Sequence, residues 1–171
     1  MDKNVILAKK YGRAIYEIAA EQNSLEKTEE ELHLIADAIK EHADLKELLF
    51  HPLLAKDVKK DTIKKLFADK VQPVVLQFCY VVIDRDRITD FPAMVDVYTT
   101  LAHHGMGIEE AVVTSALPMT KSQVEALKAK LSEITGKKIL MKQKVDTALI
   151  GGFTVQVGDR LIDGSVARQL Q

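Results

Sequence analysis

The stretch VDTALIGGFTVQVGDRLIDGSVARQLQ, residues 145–171, is the part of the chain that decides the fold class. In residues 153–157, FTVQV, apolar and polar side chains alternate, which is the two-residue period of a β-strand with one buried face. Gly158 and Asp159 follow, and a glycine in the first position of a two-residue loop predicts a type II′ hairpin turn. Residues 160–162 then form the returning strand, so the sequence predicts a β-hairpin.

Glycines are concentrated around this hairpin. Four of the eight in the chain lie in the quoted stretch, namely Gly151, Gly152, Gly158 and Gly164. A glycine cluster can cradle a phosphate group, or it can allow tight turns. Neither G-x-G-x-x-G nor G-x-x-x-x-G-K-[ST] occurs here, so the turn interpretation is favoured. After the hairpin, Asp163, Gly164 and Ser165 predict the start of a last helix, with Ser165 as its N-cap.

Upstream of the hairpin, the sequence predicts a strand, a helix and a second strand, in that order. Residues 109–118, EEAVVTSALP, and residues 137–145, KKILMKQKV, have the composition of strands. Between them, Thr120 and Gln123 have the spacing of a capping box, and Gly136 is placed to end the helix. The apolar residues expected on the inner face of this helix and of the second strand are Val124, Leu127, Leu131, Ile134, Ile139, Met141 and Val145. This part of the chain is therefore expected to form a small α/β domain with a mixed sheet and a hairpin.

Before residue 106 the apolar residues repeat every three or four positions, which is the period of amphipathic helices. Six such helices are predicted. The inner-face residues are Ala8, Tyr11, Ile15, Ile18 and Ala19 in the first, Leu25, Thr28, Leu32, Ile35 and Ile39 in the second, Ile63, Leu66 and Phe67 in the fourth, and Val95, Tyr98, Leu101 and Ala102 in the sixth. The whole chain is thus predicted to be α+β, with a six-helix bundle over residues 1–105 followed by the α/β domain over residues 106–171.

Local signals place the ends of several helices. Ser24 is the expected N-cap of the second helix, and Asp44 with Glu47 forms the expected capping pair of a short third helix. Pro73 is expected as the first residue of the fifth helix. That helix, PVVLQFCYVVIDRD at residues 73–86, is apolar on almost every side. A helix of this kind is usually central in a bundle or covered by a partner.

Composition excludes some functions. The 171 residues include 47% apolar and 29% charged side chains with a net charge of −1, so the chain as a whole is not a polyelectrolyte binder. Residues 1–105 carry 15 Lys/Arg and 18 Asp/Glu, net −3, whereas residues 106–171 carry 9 and 7, net +2. The single cysteine, Cys79, excludes an internal disulfide, and its place in the apolar fifth helix predicts that it is buried. No apolar run is long enough to span a membrane, and the N-terminus lacks the apolar core of a secretory signal.

Candidate catalytic and metal-binding residues are each better explained as structural. His103 and His104 are adjacent, so on a helix they point in different directions, and no further ligand accompanies them. The acidic run Glu29–Glu31 is interpreted as a solvated helix face, and the alternating charges of residues 84–87 as surface ion pairs. We therefore predict no catalytic residue, no metal site and no cofactor site, and interpret the chain as a non-enzymatic protein that holds partners.

The residues alone are compatible with two other functions. The α/β end could bind nucleic acid through its net charge of +2, although Phe153 is its only aromatic residue and offers no stacking platform. A small phosphotransferase or hydrolase would have to use Asp146, Asp159 and Asp163, the acidic groups around the glycines. Salt-dependent binding of RNA or DNA would favour the first function, and activity on nucleotides would favour the second.

The quoted stretch resembles the C-terminal motif of the delta subunits of bacterial and chloroplast ATP synthases, called the oligomycin-sensitivity-conferring subunit in mitochondria. That motif is a Val/Ile-Asp pair, Leu-Ile-Gly-Gly, an alternating strand, Gly-Asp and Ile-Asp-Gly-Ser. The residues that match it here are Asp146, Gly151, Gly152, Gly158, Asp159, Asp163, Gly164 and Ser165. Residues 11–19, 50–54 and 84–98 resemble other family segments in the same order, so the likeness covers the whole chain. There are two departures, because Gly12 stands where alanine is usual and the chain ends at Gln171, several residues earlier than most members.

The resemblance implies a subunit of the peripheral stalk, or stator, of the rotary proton-translocating ATP synthase. Its implied partners are the N-terminal helical segments of alpha subunits, bound by residues 1–105, and the C-terminal end of the b subunit, bound by residues 106–171. It implies no catalytic activity, cofactor, small-molecule substrate, nucleic acid or membrane insertion. The implied location is peripheral, on the cytoplasmic face of the bacterial cell membrane or on the equivalent organelle membrane.

The resemblance and the extra apolar faces of the fifth helix together predict the main partner site as a groove between the first and fifth helices. The residues predicted to line it are Tyr11, Ala14, Ile18, Gln77, Phe78 and Val81. Ala14 is included because a small side chain lets an incoming helix approach closely. The alternative is that all six side chains face the core of the bundle.

Overall fold

The computed structural model describes residues 3–163, which divide into two compact units. The first unit contains the described residues up to Ala102, and the second begins at His103. Within residues 3–163 there are seven α-helices, one short 3-10 helix and a single four-stranded sheet with parallel and antiparallel pairs. The prediction of an α+β chain with a mixed sheet is therefore confirmed.

Helices form all the regular structure of the first unit, and the last of them extends to Gly105, three residues past Ala102. They are α1 (Lys3–Glu21), α2 (Leu25–Glu41), α3 (Ala43–Phe50), α4 (Lys56–Phe67), α5 (Pro73–Asp84) and α6 (Phe91–Gly105), with a 3-10 helix at Ile88–Asp90 before α6. Pro73 opens α5 as predicted, because its fixed φ suits the first helical position and its missing N–H would have no helical partner there. α3 ends at Phe50, two residues before Pro52. A proline disfavours the helical conformation in the residue before it, here His51.

The predicted inner face of α1 is wrong in part. Its buried residues are Ala8, Gly12, Ile15 and Ala19. Tyr11 is only half-buried and Ile18 is 41% exposed, so both flank the buried stripe. The stripe is centred on Gly12 because α1 crosses α6 closely there, and hydrophobic periodicity gives a glycine no weight. On α4, Leu66 is likewise 42% exposed, because Ile63 and Phe67 already occupy the face turned to the core.

Of two predicted helix caps, one is confirmed only in its position and the other is wrong. Ser24 stands at the N-cap position of α2, but its hydroxyl donates to the carbonyl oxygen of Ala19 at the end of α1, 3.4 Å away. α3 begins at Ala43 after His42, so Asp44 lies inside the first turn rather than at the cap. A carboxylate in the first turn is favoured by the helix dipole without being a cap.

The second unit is built on a sheet with the strand order β2–β1–β3–β4. Its elements are β1 (Ile108–Ser115), α7 (Lys121–Thr135), β2 (Lys138–Val145), β3 (Phe153–Val157) and β4 (Arg160–Asp163). β1 pairs in parallel with β2 and antiparallel with β3, and β3 pairs antiparallel with β4. A parallel pair needs a crossover connection, which α7 provides between β1 and β2.

Local signals at the ends of α7 are confirmed. Thr120 Oγ1 accepts a hydrogen bond from the Gln123 N–H at 3.3 Å, and the Gln123 side-chain oxygen accepts one from the Thr120 N–H at 3.0 Å. This reciprocal pair is the predicted capping box. Gly136 ends the helix with a φ of 67°, in the left-handed region that glycine adopts without a steric penalty.

The predicted hairpin is present between β3 and β4. Val157 pairs with Arg160, so the loop contains only Gly158 and Asp159. Gly158 has a φ of 57° and Asp159 has no positive φ, as a type II′ turn requires. The last helix predicted from Ser165 lies outside the described residues, as does Gly164.

The sheet buries one face against α7. The buried residues of this second core are Ala111, Val113, Leu131, Ile139, Val155 and Val157. Met141 is partly buried there, but Val145 and Ile134 are exposed, contrary to prediction. Val145 is the last residue of the edge strand β2, and Ile134 is the last residue but one of α7. At these ends no other element of the described chain covers their side chains.

Candidate functional site

The three predicted residues on α1 lie outside its buried face. Ala14 and Ile18 are exposed and Tyr11 is half-buried. Their spacing of three and four residues places them on one side of the helix. α1 therefore presents a second stripe of small and apolar side chains, next to the one that packs in the core.

The predicted residues on α5 also lie outside its buried face. Gln77 is exposed, Val81 is 41% exposed, and Phe78 is half-buried. The Phe78 ring is tilted against the Phe91 ring with 6.2 Å between centroids, which fixes its direction. The buried residues of α5 are Val75, Cys79, Val82 and Ile83. α5 thus carries apolar side chains on a buried face and on an outward face, as its all-round apolar sequence indicates.

Both helices rest on α2, which contacts α1 and α5. α1 also packs on α6, where Tyr16 meets Tyr98 edge to face at 6.5 Å between ring centroids. α5 also contacts α4 and the 3-10 helix at Ile88–Asp90. None of the six predicted groove residues belongs to the buried core of the unit. The alternative in which all six face that core therefore does not describe this structure.

A buried carboxylate, Glu31, was missed by sequence reasoning. The acidic run predicts a solvated helix face, but Glu31 is only 6% exposed, so that prediction is wrong for this residue. Glu31 Oε2 accepts hydrogen bonds from the backbone N–H of Gln72 at 2.8 Å and from Gln72 Nε2 at 3.2 Å. Gln72 is the N-cap residue of α5. The sequence contains no signal for this contact, because 41 residues separate the two partners.

Cys79 is fully buried in α5, as predicted. Burial raises the pKa of its thiol to about 12, since the thiolate would lose its solvation. A thiol with so high a pKa is almost wholly protonated near neutral pH and is a poor nucleophile. Cys79 therefore packs as a small apolar residue.

The charged residues after α5 form surface ion pairs, as predicted. Lys60 pairs with Asp84, and Lys56 pairs with Asp86 at 2.7 Å. The hydrogen bond to Asp84 raises the pKa of Lys60 above its usual value. These contacts tie the start of α4 to the end of α5. Among residues 3–163, no group of histidine, cysteine, aspartate and glutamate side chains is arranged to hold a metal ion.

The glycine motif of the second unit forms turns. Asp146 donates its N–H to the Ser115 carbonyl at 2.9 Å and accepts the Ala148 N–H on Oδ1 at 2.9 Å. The hydrogen bond from the Ala148 N–H to the Asp146 side chain forms an Asx turn, and this turn starts the loop from β2 to β3. Gly151 and Gly152, with φ of 139° and 81°, end that loop. Asp159 is exposed in the hairpin loop, and Asp163 is the last residue of β4.

An open cleft of about 660 Å³ lies at this end of the sheet, and sequence reasoning did not find it. It is lined by Ser115, Met119, Leu127, Gly151, Gly152 and Phe153, among others. Leu117 lines it and is largely exposed, and Ile150, next to the cleft in sequence, is fully exposed. The cleft is visible only in three dimensions because the end of β1, α7 and the β2–β3 loop each contribute one wall.

No helix within residues 3–163 combines the length and apolarity needed to cross a lipid bilayer.

Comparison with known proteins agrees with the resemblance noted in the sequence. The sequence model of the ATP synthase delta (OSCP) subunit family matches residues 7–171. ATP synthase subunit delta of Alkaliphilus metalliredigens is 36% identical over 165 residues, covering 96% of this chain and 92% of that protein. ATP synthase subunit delta of Brevibacillus brevis is 34% identical over 168 residues, covering 96% and 94%.

Solved structures show the same fold. A chain of the Toxoplasma gondii mitochondrial ATP synthase hexamer superposes with a TM-score of 0.70 at 18% identity, covering 96% of this chain and 93% of that chain. A chain of the Polytomella F-ATP synthase superposes with a TM-score of 0.52 at 20% identity, covering 57% and 88%. Nothing in these matches supports the nucleic-acid-binding alternative. The family model and the bacterial relatives span nearly the whole chain, and the chain therefore belongs to the ATP synthase delta (OSCP) subunit family.

Proposed function

We propose that this protein is a non-catalytic stator subunit of the rotary proton-translocating ATP synthase, in which it joins the catalytic head to the b-subunit stalk. The observation that carries the proposal is the second apolar face of α5, where Val81 is 41% exposed on a helix whose other face is fully buried. A helix of this kind stabilises a complex by burying its outer face against a partner. The family supplies the complex in which that partner is found.

In this proposal residues 1–105 form one six-helix bundle that binds alpha subunits, and residues 106–171 form the domain that binds the b subunit. The complex places the protein peripherally, on the cytoplasmic face of the bacterial cell membrane. The division is supported by the two compact units and their separate cores. A stator has to resist the torque of the rotor, so it needs well-packed units and extensive contacts rather than a chemical centre.

The alpha-binding site is the groove predicted between α1 and α5. An amphipathic helix from the N-terminus of an alpha subunit would lay its apolar face on Ile18, Phe78 and Val81, with Tyr11 and Gln77 at the edges. Ala14 would let the backbone of that helix come close to α1. The support is that these side chains are exposed or half-buried and that both helices are seated on α2.

The b-subunit site is assigned to the end of the sheet that carries the open cleft. Leu117 and Ile150 are exposed large apolar residues at that end, and the cleft is lined by Leu117, Met119 and Phe153. Apolar side chains beside a concave surface are typical of a protein-binding site. The glycine motif would then contribute by shaping one wall of the cleft through the turn at Gly151 and Gly152.

The replacement of Val81 by aspartate tests the alpha-binding site. Val81→Asp should weaken binding of a synthetic peptide with the alpha-subunit N-terminal sequence at least tenfold, about 1.4 kcal/mol, because a carboxylate would be desolvated against the apolar face of the peptide. The chain should still unfold cooperatively, because Val81 is 41% exposed and an aspartate there keeps contact with water. Calorimetric titration of the full chain and a thermal melt give the two readouts.

Leu66→Asp is the matched control. Leu66 has almost the same exposure as Val81, 42% against 41%, but lies on α4, outside the proposed groove. It should leave the peptide affinity unchanged. Equal affinities for the wild-type chain and Val81→Asp would refute the groove, and an equal loss in both variants would show a nonspecific effect of charge.

A further inference from the structure

A chain of polar contacts connects α1 to α5 through α2. At one end, the Ser24 hydroxyl donates to the carbonyl oxygen of Ala19, near the end of α1. The Ser24 and Thr28 hydroxyls lie 3.3 Å apart, and Gln72 Nε2 donates to Thr28 Oγ1 at 3.5 Å. Thr28 is fully buried. The contacts are therefore partly buried, and they end at Gln72, the N-cap residue of α5.

Glu31 holds the α5 end of this chain of contacts. Its Oε2 accepts both the backbone N–H and the side-chain Nε2 of Gln72, at 2.8 and 3.2 Å, so the main chain and the side chain of the N-cap residue are fixed to α2 together. α5 has no side-chain cap of its own, and Pro73 brings no N–H. A carboxylate at this end of a helix is also favoured by the helix dipole.

We infer that Glu31 is a positioning residue for partner binding. Glu31 sets where α5 begins, and the start of α5 sets the position of the outward face of α5 relative to α1. The inference rests on the proposed function, because that face is the proposed alpha-binding surface. Gln72 caps α5, and Phe78 and Val81 lie on the same continuous helix, so a displacement of the first turn of α5 moves both side chains with it. Glu31 itself is buried and is not one of the six proposed groove residues.

The mechanism is a change in the fraction of molecules that hold α5 in the binding geometry. If Glu31 no longer fixes Gln72, part of the population has α5 displaced, and the apparent Kd rises by the inverse of the correctly positioned fraction. Hydrogen bonds to a charged acceptor are about twice as strong as those to a neutral acceptor. Glu31→Gln keeps an oxygen acceptor of the same reach but removes the charge, so it should weaken the contact without opening a cavity.

The experiment compares the full chain with Glu31→Gln and Glu31→Ala, using the same alpha N-terminal peptide in calorimetric titrations well below the melting temperature. We expect a rise in Kd of about threefold or more for Glu31→Gln, which corresponds to a correctly positioned fraction of about one third. Glu31→Ala should give a larger rise. Hydrogen exchange should show faster exchange of the Gln72 amide in both variants, because that N–H loses its charged acceptor.

Two controls separate positioning from general destabilisation. Glu30→Gln removes the same charge from an exposed neighbour on α2 and should leave the Kd unchanged. Ile35→Val lowers stability through the core of the same helix, because Ile35 is fully buried, and should also leave the Kd of the folded protein unchanged.

The outcomes are distinguishable. Wild-type affinity in Glu31→Gln, or an equal rise in Kd in Ile35→Val, would overturn the positioning role while leaving the proposed function intact. No binding of the peptide by the wild-type chain would overturn both. A rise in Kd confined to the Glu31 variants, together with faster exchange at Gln72, would establish the role.

Discussion

The glycine in the middle of α1 allows a sharp test of how the first unit is packed. Gly12 faces α6, and a side-chain carbon built on it would lie 2.8 Å from the carbonyl oxygen of Met94 and 2.8 Å from Cβ and Cγ1 of Val97. Carbon atoms in ordinary van der Waals contact are about 3.5–4.0 Å apart. Gly12→Ala therefore cannot be accommodated unless α1 and α6 move apart.

Two opposing terms decide the size of the effect. Alanine in place of glycine in a helix interior stabilises by about 1 kcal/mol through backbone entropy and solvation. Forcing an extra carbon into a closely packed contact costs about 1–3 kcal/mol, and the cost should be near the upper limit because the Met94 oxygen belongs to rigid helix backbone. We expect a net loss of about 1–2 kcal/mol, a fall in melting temperature of about 4–16 °C for a unit of this size.

Circular dichroism at 222 nm or scanning calorimetry of the full chain measures this loss. Lys9→Gly, at an exposed position of the same helix, measures the propensity term alone and should destabilise by about 1 kcal/mol. Adding Val97→Ala to Gly12→Ala removes one of the three close atoms, Cγ1, and should restore part of the lost stability. A melting temperature in Gly12→Ala at or above that of the wild type would refute the close crossing of α1 and α6.

Two further predictions concern the division of the chain and its hairpin. A fragment of residues 1–105 should be soluble, strongly helical and cooperative in thermal unfolding, because its buried residues form their own core; a broad, non-cooperative melt would mean that both units share one core. Gly158→Val should destabilise by about 1 kcal/mol or more in urea unfolding, because valine at a φ of 57° is strained and its Cβ would lie 3.1 Å from Glu109 Oε1. An unchanged urea midpoint would exclude the type II′ turn.

The elements of this protein could be predicted from sequence wherever the deciding interaction is local. The Thr120–Gln123 capping box joins residues three apart, and the turn at Gly158 depends on the φ of one residue. The period of FTVQV indicates a strand because alternate side chains of a strand point to opposite faces. Such signals act within one turn of helix or one loop, so the order and type of the elements follow from them.

The faces of the helices were predicted less well. Periodicity identifies residues that share a side of a helix, but it does not say which neighbour covers that side. On α1 it combined Tyr11 and Ile18 with the buried residues, whereas the core face is centred on Gly12. On α5 the all-round apolar sequence indicates that one apolar face lies outside the core, and Val81 on that face is 41% exposed. The six groove residues stay a prediction.

The sequence by itself determined that this chain is α+β, that it has a hairpin near its end, and, through its C-terminal motif, which family it belongs to. Only the tertiary structure decided that β1 lies between β2 and β3, that α1 crosses α6 at Gly12, and that Glu31 is buried against Gln72. The physical reason is the same in each case. These contacts join groups that are tens of residues apart, and their free energy depends on which elements meet, which no local pattern of residues encodes.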